Sequence, residues 1–215
     1  MRIKYLAHSS FLITSDPGTK IVTDPYTSGQ GLGYAPVNES AEAVTISHEH
    51  GDHNNEKSVK GTPRILRGEG AWKIGSLEIK GVAAFHDQEK GAQRGKDTIF
   101  CFSADGVNIC HLGDLGEFLS DKQIESIGKV DALLVPVGGF YTIDAEQAWK
   151  VALSLNPRIV IPMHYKTPKC EFPLAVVDVF LKGKPRVHKL ASSELKLSKS
   201  ELPAEMEIRV LPYSQ

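Results

Sequence analysis

Apolar residues in the first half of this chain fall in short runs closed by Gly, Pro, Asp or Asn, a spacing that suits strands better than long helices. Positions 3–6, 10–14, 20–23, 43–46, 64–67 and 77–85 read as strands on that pattern. Asp105-Gly106, flanked by 98–104 and 107–111, is a two-residue hairpin signal. Its register sets Ala104 opposite Val107 and Cys101 opposite Cys110, the cysteines at a non-hydrogen-bonded position. Helical patterning comes later. Ser120-Asp121-Lys122-Gln123 is a capping box for a helix running to about Gly128, and Asp144 with Gln147 opens a second over 145–155, ended by Asn156-Pro157. A third helix is expected over 173–181, before Gly183, and a last strand over 204–211. The segments 132–136 and 159–162 are apolar throughout, as strands buried on both faces are. Many strands with helices outside them predict a layered α/β sandwich.

At 215 residues the chain can bury a full core, and one domain over 1–215 is expected. Lys and Arg number 25 against 26 Asp and Glu, without a long basic run, which gives no electrostatic footprint for nucleic acid. Met1-Arg2-Ile3-Lys4-Tyr5-Leu6 lacks the apolar stretch of a signal peptide, and nowhere do about 20 apolar residues run together. A soluble, cytoplasmic protein without a membrane span is therefore expected. Cys101, Cys110 and Cys170 form no C-x-x-C pair, which points to neither a disulfide scaffold nor a cysteine-rich zinc ribbon. Cys101 and Cys110 could reach each other as a strained bridge, but reduced thiols are the expectation in the cytosol.

Directly after strand 43–46 stands Ser47-His48-Glu49-His50-Gly51-Asp52-His53. A buried imidazole needs a partner for its polar nitrogen, so a core gains nothing from such density, whereas transition metals favour mixed N and O donors. The alternative is a solvated polar loop. A helical H-E-x-x-H site is excluded, because its second His would fall at Asp52 and Gly51 disfavours a helix interior. The spacing predicts a strand ending near Ser47, a loop that turns alternate side chains inward, and a helix after His53. Gly29-Gln30-Gly31-Leu32-Gly33 precedes no helix pattern and is followed by Pro36, which suits a mobile loop near the mouth of a site better than a phosphate cradle.

Further donors stand where apolar segments meet loops: His86 after 82–85, Asp114 after 108–113 and His164 after 159–163. Taken singly, each would more often be a satisfied polar residue than a ligand. In the order His48, His50, Asp52, His53, then His86, then Gly113-Asp114, then His164, the chain resembles the metallo-β-lactamase superfamily. Ala7-His8-Ser9-Ser10, Thr23-Asp24-Pro25, His111-Leu112-Gly113-Asp114-Leu115, Pro136-Val137-Gly138-Gly139 and Ile161-Pro162-Met163-His164-Tyr165 resemble one branch of it. That branch holds small metal-dependent hydrolases related to ascorbate-6-phosphate lactonase and, more remotely, to the phospholipase D that cleaves N-acyl phosphatidylethanolamines.

The resemblance implies a single-domain, four-layer αββα metallo-β-lactamase sandwich. It implies His48, His50 and His86 on one divalent metal, Asp52, His53 and His164 on a second, and Asp114 bridging them. Asp52 and Asp114 become the catalytic carboxylates, Asp52 also as a proton shuttle. His8, Asp24 and His111 are candidates for holding ligands from behind, with a backbone-satisfied buried histidine the alternative for His8 and His111. His188 is expected at the surface.

Two cations about 3.5–4 Å apart bring the pKa of a shared water toward neutrality, so the resemblance implies a bridging hydroxide that cleaves an ester, lactone or phosphoester in a small molecule. Zinc is the first choice of metal, and manganese, iron or nickel suit the same donors. Arg94, Lys96 and Lys166 are candidate contacts for a substrate anion. Two other readings stay open: a phosphodiesterase or nuclease acting on nucleotides or nucleic acid, and a metal-binding scaffold without turnover. Against the scaffold stands a donor set larger than a closed structural zinc site and free of Cys. A homo-oligomer is compatible with the sequence. The oxygen-reducing diiron relatives usually carry Glu where this chain has His50, together with a flavin domain for which it has no room.

Overall fold

The computed structural model describes residues 1–214. In chain order it forms β1 (Arg2–Ala7), β2 (Ser10–Thr14), β3 (Lys20–Thr23), β4 (Ala43–Ile46), β5 (Arg64–Arg67), β6 (Gly70–Ile74), β7 (Leu77–Phe85), β8 (Lys96–Ala104) and β9 (Val107–His111). There follow α1 (Asp121–Ile127), β10 (Ala132–Pro136), α2 (Ala145–Leu155), β11 (Ile159–Met163), α3 (Val177–Leu181), β12 (Val187–Lys189), β13 (Glu194–Lys196) and β14 (Glu207–Val210).

The strands make two mixed sheets, ordered β13-β1-β2-β3-β4-β5 and β12-β14-β11-β10-β9-β8-β7-β6. Period-two alternation in the smaller sheet explains its short apolar runs. Phe11, Ile13, Ile21 and Ala43 join Phe100, Phe102 and Ile109 of the larger sheet in the main core. Leu12, Val22, Val44 and Ile46 form a second core with Tyr26, Tyr34, Val37 and Val59. Each large side chain so buried contributes about 1.5–3 kcal/mol. Helix α1 rests on β7 and α2 on β10, outside the larger sheet. Outside the smaller sheet, Tyr26, Tyr34, Val37 and Val59 lie on loops, which stand where a fourth, helical layer was expected.

Both capping boxes form, Ser120 with Gln123 and Asp144 with Gln147, each cap worth about 1 kcal/mol. Asp105 and Gly106 turn the hairpin with φ of 53° and 71°, and Cys101 faces Cys110 in the expected register, both as free thiols. Two helical expectations are corrected. After His53 only a 3-10 turn forms, at Glu56–Ser58, because Asn55 is drawn aside by bonds to the carbonyls of Pro25 and Tyr26. The third helix starts at Val177 instead of 173: the Ala175 N–H bonds to Gly138 O and its carbonyl accepts from Lys166, so this backbone runs extended.

Candidate donors sit in the loops that leave strand ends: His8 after β1, Asp24 after β3, the histidine cluster after β4, His86 after β7, Asp114 after β9 and His164 after β11. The chain thereby delivers polar groups from both sheets to one edge of the sandwich, a usual place for a site on a rigid scaffold.

Candidate metal centre

Several of these residues leave their strands in a conformation L-residues avoid. His8, Asp24 and His164 have φ of 55°, 39° and 51°, a strain of about 1–3 kcal/mol each that surrounding packing must hold. Gly113 has φ of 56°, and a Cβ there would come 2.7 Å from Ser47 Cβ and overlap the Asp97 carboxylate, so only glycine lets the Asp114 loop approach β4. His111 supports that loop: its Nε2 lies 2.8 Å from Ser9 O and its Nδ1 accepts from Gly113 N at 3.1 Å. It holds backbone, and touches no ligand carboxylate.

Asp114 lies at the middle. Its Oδ2 is 3.8 Å from His48 Nε2, 3.4 Å from His86 Nε2 and 3.3 Å from His164 Nε2, while Oδ1 is 3.3 Å from His53 Nε2. Donors that share one ion at about 2.0–2.2 Å stand roughly 3.3 Å from each other at tetrahedral angles, so this spacing suits coordination. The donor atoms form two groups, His48 with His50 and His86, and His8 with Asp52, His53 and His164; His48, His53 and Asp114 form a third that joins them.

Charge makes the same argument. Asp24, Asp97 and Asp114 are buried, and among the described residues histidines are their only ion-pair partners, with no Lys or Arg in reach; burial raises the Asp97 carboxyl well above its usual range, which leaves Asp24 and Asp114 to carry the charge. Buried carboxylates without a cation are costly. His48 Nε2, His53 Nε2, His164 Nε2 and Asp114 Oδ1 have no hydrogen-bond partner among the described residues. Divalent cations fit both the orphaned atoms and the excess of negative charge.

From the side chains alone, burial pushes His48 and His164 down to about 3, which keeps them neutral donors at physiological pH. Burial would also lower His53, but the carboxylates of Asp114, Asp52 and Asp24 raise it well above its usual range. Asp114 behaves conversely: burial raises it, and His164 and His53 together hold it well below. The pocket demands positive charge at this point.

Behind the donors lies a set of braces. Asp24 Oδ2 is 3.0 Å from His53 Nδ1 and accepts from Ser47 Oγ at 2.6 Å; Ser47 Oγ is in turn 3.0 Å from His48 Nδ1. One carboxylate thus aims two imidazoles inward, the pattern metal-binding histidines commonly show. His8 Nε2 stands 3.1 Å from Asp52 Oδ2, and its carbonyl accepts from His164 N. The sequence reading missed Asp97 and Ser47. Asp97 is 3.7 Å from His48 Nδ1 and accepts from Asp114 N at 3.3 Å. Asp97 lies inside β8, one residue before the apolar run that marks this strand in the sequence, and a lone carboxylate opening such a run is its only signal.

A cavity of about 300 Å³ opens over the centre, lined by His50, Asp52, His86, Arg94, Asp114, Tyr141 and Phe172. A neighbouring one of about 410 Å³ includes His48, His50, Arg67, Arg94 and Lys96 in its walls. Lys166 lines neither, since its ammonium donates to Phe172 O at 2.9 Å. In the glycine-rich segment Gly31 lies against the ring of Phe172, which lines the smaller cavity. His188 is exposed, as expected.

The chain matches the family described as a beta-lactamase superfamily domain over residues 2–164. A UPF0173 metal-dependent hydrolase from Pelotomaculum thermopropionicum is 30% identical over 226 aligned residues, covering 92% of this chain and 96% of its own. Another, from Pyrococcus furiosus, is 30% identical over 195 residues, covering 78% of this chain and 85% of its own. A crystal structure from Thermotoga maritima, described as a candidate Zn-dependent hydrolase of the metallo-beta-lactamase superfamily, is 39% identical, covers 98% of this chain and 97% of its own, and gives a TM-score of 0.82.

Proposed function

The chain belongs to the metallo-β-lactamase superfamily, alongside the UPF0173 metal-dependent hydrolases, and from that premise we propose a dinuclear hydrolase of small-molecule esters, lactones or phosphoesters. One observation carries the reading: Asp114 presents a single buried carboxylate to imidazoles of both donor groups, at 3.3 to 3.8 Å. His48, His50 and His86 would hold one cation, Asp52, His53 and His164 the other, and Asp114 would span them. Zinc suits this N/O set, as do manganese, iron and nickel. Two such cations would supply an activated water and polarise the substrate oxygen.

The side chains divide the remaining work. His8 holds Asp52 through Oδ2, which leaves Oδ1 to take a proton from the attacking water and return it to the leaving atom. Tyr141 and Phe172 give the cavity an apolar wall that limits bulk water around the reacting bond. Asp24 and Ser47 fix the imidazole orientations that metal binding needs. No helix of the described residues is long and apolar enough to cross a membrane; a cytoplasmic site of action on a small molecule completes the proposal.

The test is a panel of esters, lactones and phosphodiesters offered to metal-loaded protein, with Asp114→Ala as control. Metal-dependent turnover of one class, lost in the variant, supports the reading. A protein that binds two metals and cleaves nothing on the panel would be a scaffold instead.

A further inference from the structure

Asp87, next to His86, anchors the loop that follows. Its carboxylate accepts four backbone N–H groups, from Glu89 at 2.8 Å, Gly91 at 2.9 Å, Gln93 at 3.0 Å and Arg94 at 2.7 Å. The loop closes where His86 N bonds to Gly95 O at 3.1 Å. Such a loop is pre-ordered, and what it presents to the centre is Arg94.

The Arg94 guanidinium stacks on Tyr141, 4.8 Å from the ring centroid, and its one hydrogen bond among the described residues is a long contact of 3.5 Å to Phe140 O. Neither Arg94 nor Lys96 has a carboxylate partner among the described residues, while Glu49, the acid on the same wall, is taken by Arg67 at 2.8 Å. Stacking occupies the face of a guanidinium and leaves its N–H edge free for a bidentate anion. Arg94 and His50 line both cavities, so a ligand bound at Asp114 reaches Arg94 and Lys96 without leaving the pocket.

We propose that the substrate carries a phosphate or carboxylate group separate from the bond that is cleaved, and that Arg94 and Lys96 bind this group in the cavity beyond His50. The inference rests on the hydrolase reading for the bond cleaved, and on the cavity walls alone for the anion. A purely structural Arg94 is a poor fit, since the loop is held by Asp87 and backbone and not by the guanidinium.

The experiment compares metal-loaded wild type with Arg94→Gln and Lys96→Gln, each checked for unchanged metal content and thermal midpoint. Three δ-lactones serve as substrates: one neutral, one bearing a carboxylate, one a phosphate monoester. Wild type is expected to prefer an anionic lactone at least tenfold in kcat/KM, and the preferred arm identifies the anion. Arg94→Gln should lower kcat/KM for that lactone at least tenfold more than for the neutral one, mainly through KM, with a smaller loss in Lys96→Gln. No preference in wild type, or equal losses on neutral and anionic lactones, overturns the proposal. Should no lactone be cleaved, calorimetry with inorganic phosphate and with acetate decides. A Kd at least tenfold tighter for one of them in wild type than in Arg94→Gln supports the anion site while lactones drop out as the bond cleaved; equal affinities for both overturn the site.

Discussion

Asp52 and His53, on one side of Asp114, are anchored differently from His50 and His86 on the other. The His53 ring is pinned by Asp24 and the Asp52 carboxylate by His8, and the His8 carbonyl accepts from the backbone of His164, whose ring nitrogens have no partner among the described residues. In the opposite half one side chain is tied, His48 through Ser47 to Asp24, while His86 is held by its backbone N–H on Gly95 O. His50 is exposed, and His86 Nδ1 has no partner among the described residues. The same residue types thus make a closed half and an open half. Ring orientation and tautomer are fixed by what stands behind a ligand, so affinity belongs to the brace as well as to the donor. The open half also borders both cavities, where substrate would enter.

The most severe way to break this comparison is to remove what the halves share. Asp114→Ala is expected to lower kcat/KM by about a thousandfold or more and to leave fewer than two bound metals. Near-native turnover would mean the halves do not work jointly. Next in size is the brace of the closed half: His8→Ala should weaken one of two metal equivalents by about 10–100-fold in a competition titration against a chromophoric chelator. An unchanged titration would reduce His8 to packing. Kinetics should sharpen the contrast, because excess chelator is expected to strip metal in two phases, with His50→Ala abolishing the fast one. A single phase in wild type would say the halves are equivalent.

A smaller effect concerns pH. In chelated protein, burial holds His48 and His164 at about 3 against an ordinary 6.5. Between those values the unfolded chain takes up protons that the folded chain refuses, so stability is present above pH 6.5 and lost as pH falls toward 3. His53, shifted upward, is protonated in both states across that window and does not offset the loss. The thermal midpoint should therefore fall on acidification below pH 6.5; a midpoint that rises would contradict these assignments.

The candidate donors were legible because ligand chemistry writes itself into spacing: His48, His50, Asp52 and His53 share one loop, and His86, Asp114 and His164 each end an apolar run. Strands β2, β3, β4, β5 and β7 were legible for a related reason, since burial on one or both faces leaves an unbroken or alternating pattern. Edge strands carry less of it. Strands β12 and β13 have three residues each, too few for a period to register, and β6 is largely exposed. Asp97 was illegible as a brace because its role depends on the loop after β4 of the other sheet coming near it, and Ser47 because its role depends on Asp24 beyond the neighbouring strand β3. Lys166 illustrates the reverse, a cation two residues past the candidate ligand His164 whose ammonium is used by the Phe172 carbonyl.

The proposed centre holds two cations at one carboxylate. Metal content of the purified protein, measured by mass spectrometry after equilibration with zinc and removal of the excess, tests it most directly. Two equivalents per chain in wild type, falling below two in Asp114→Ala, is the predicted result; one equivalent or none in the well-folded wild type would contradict it.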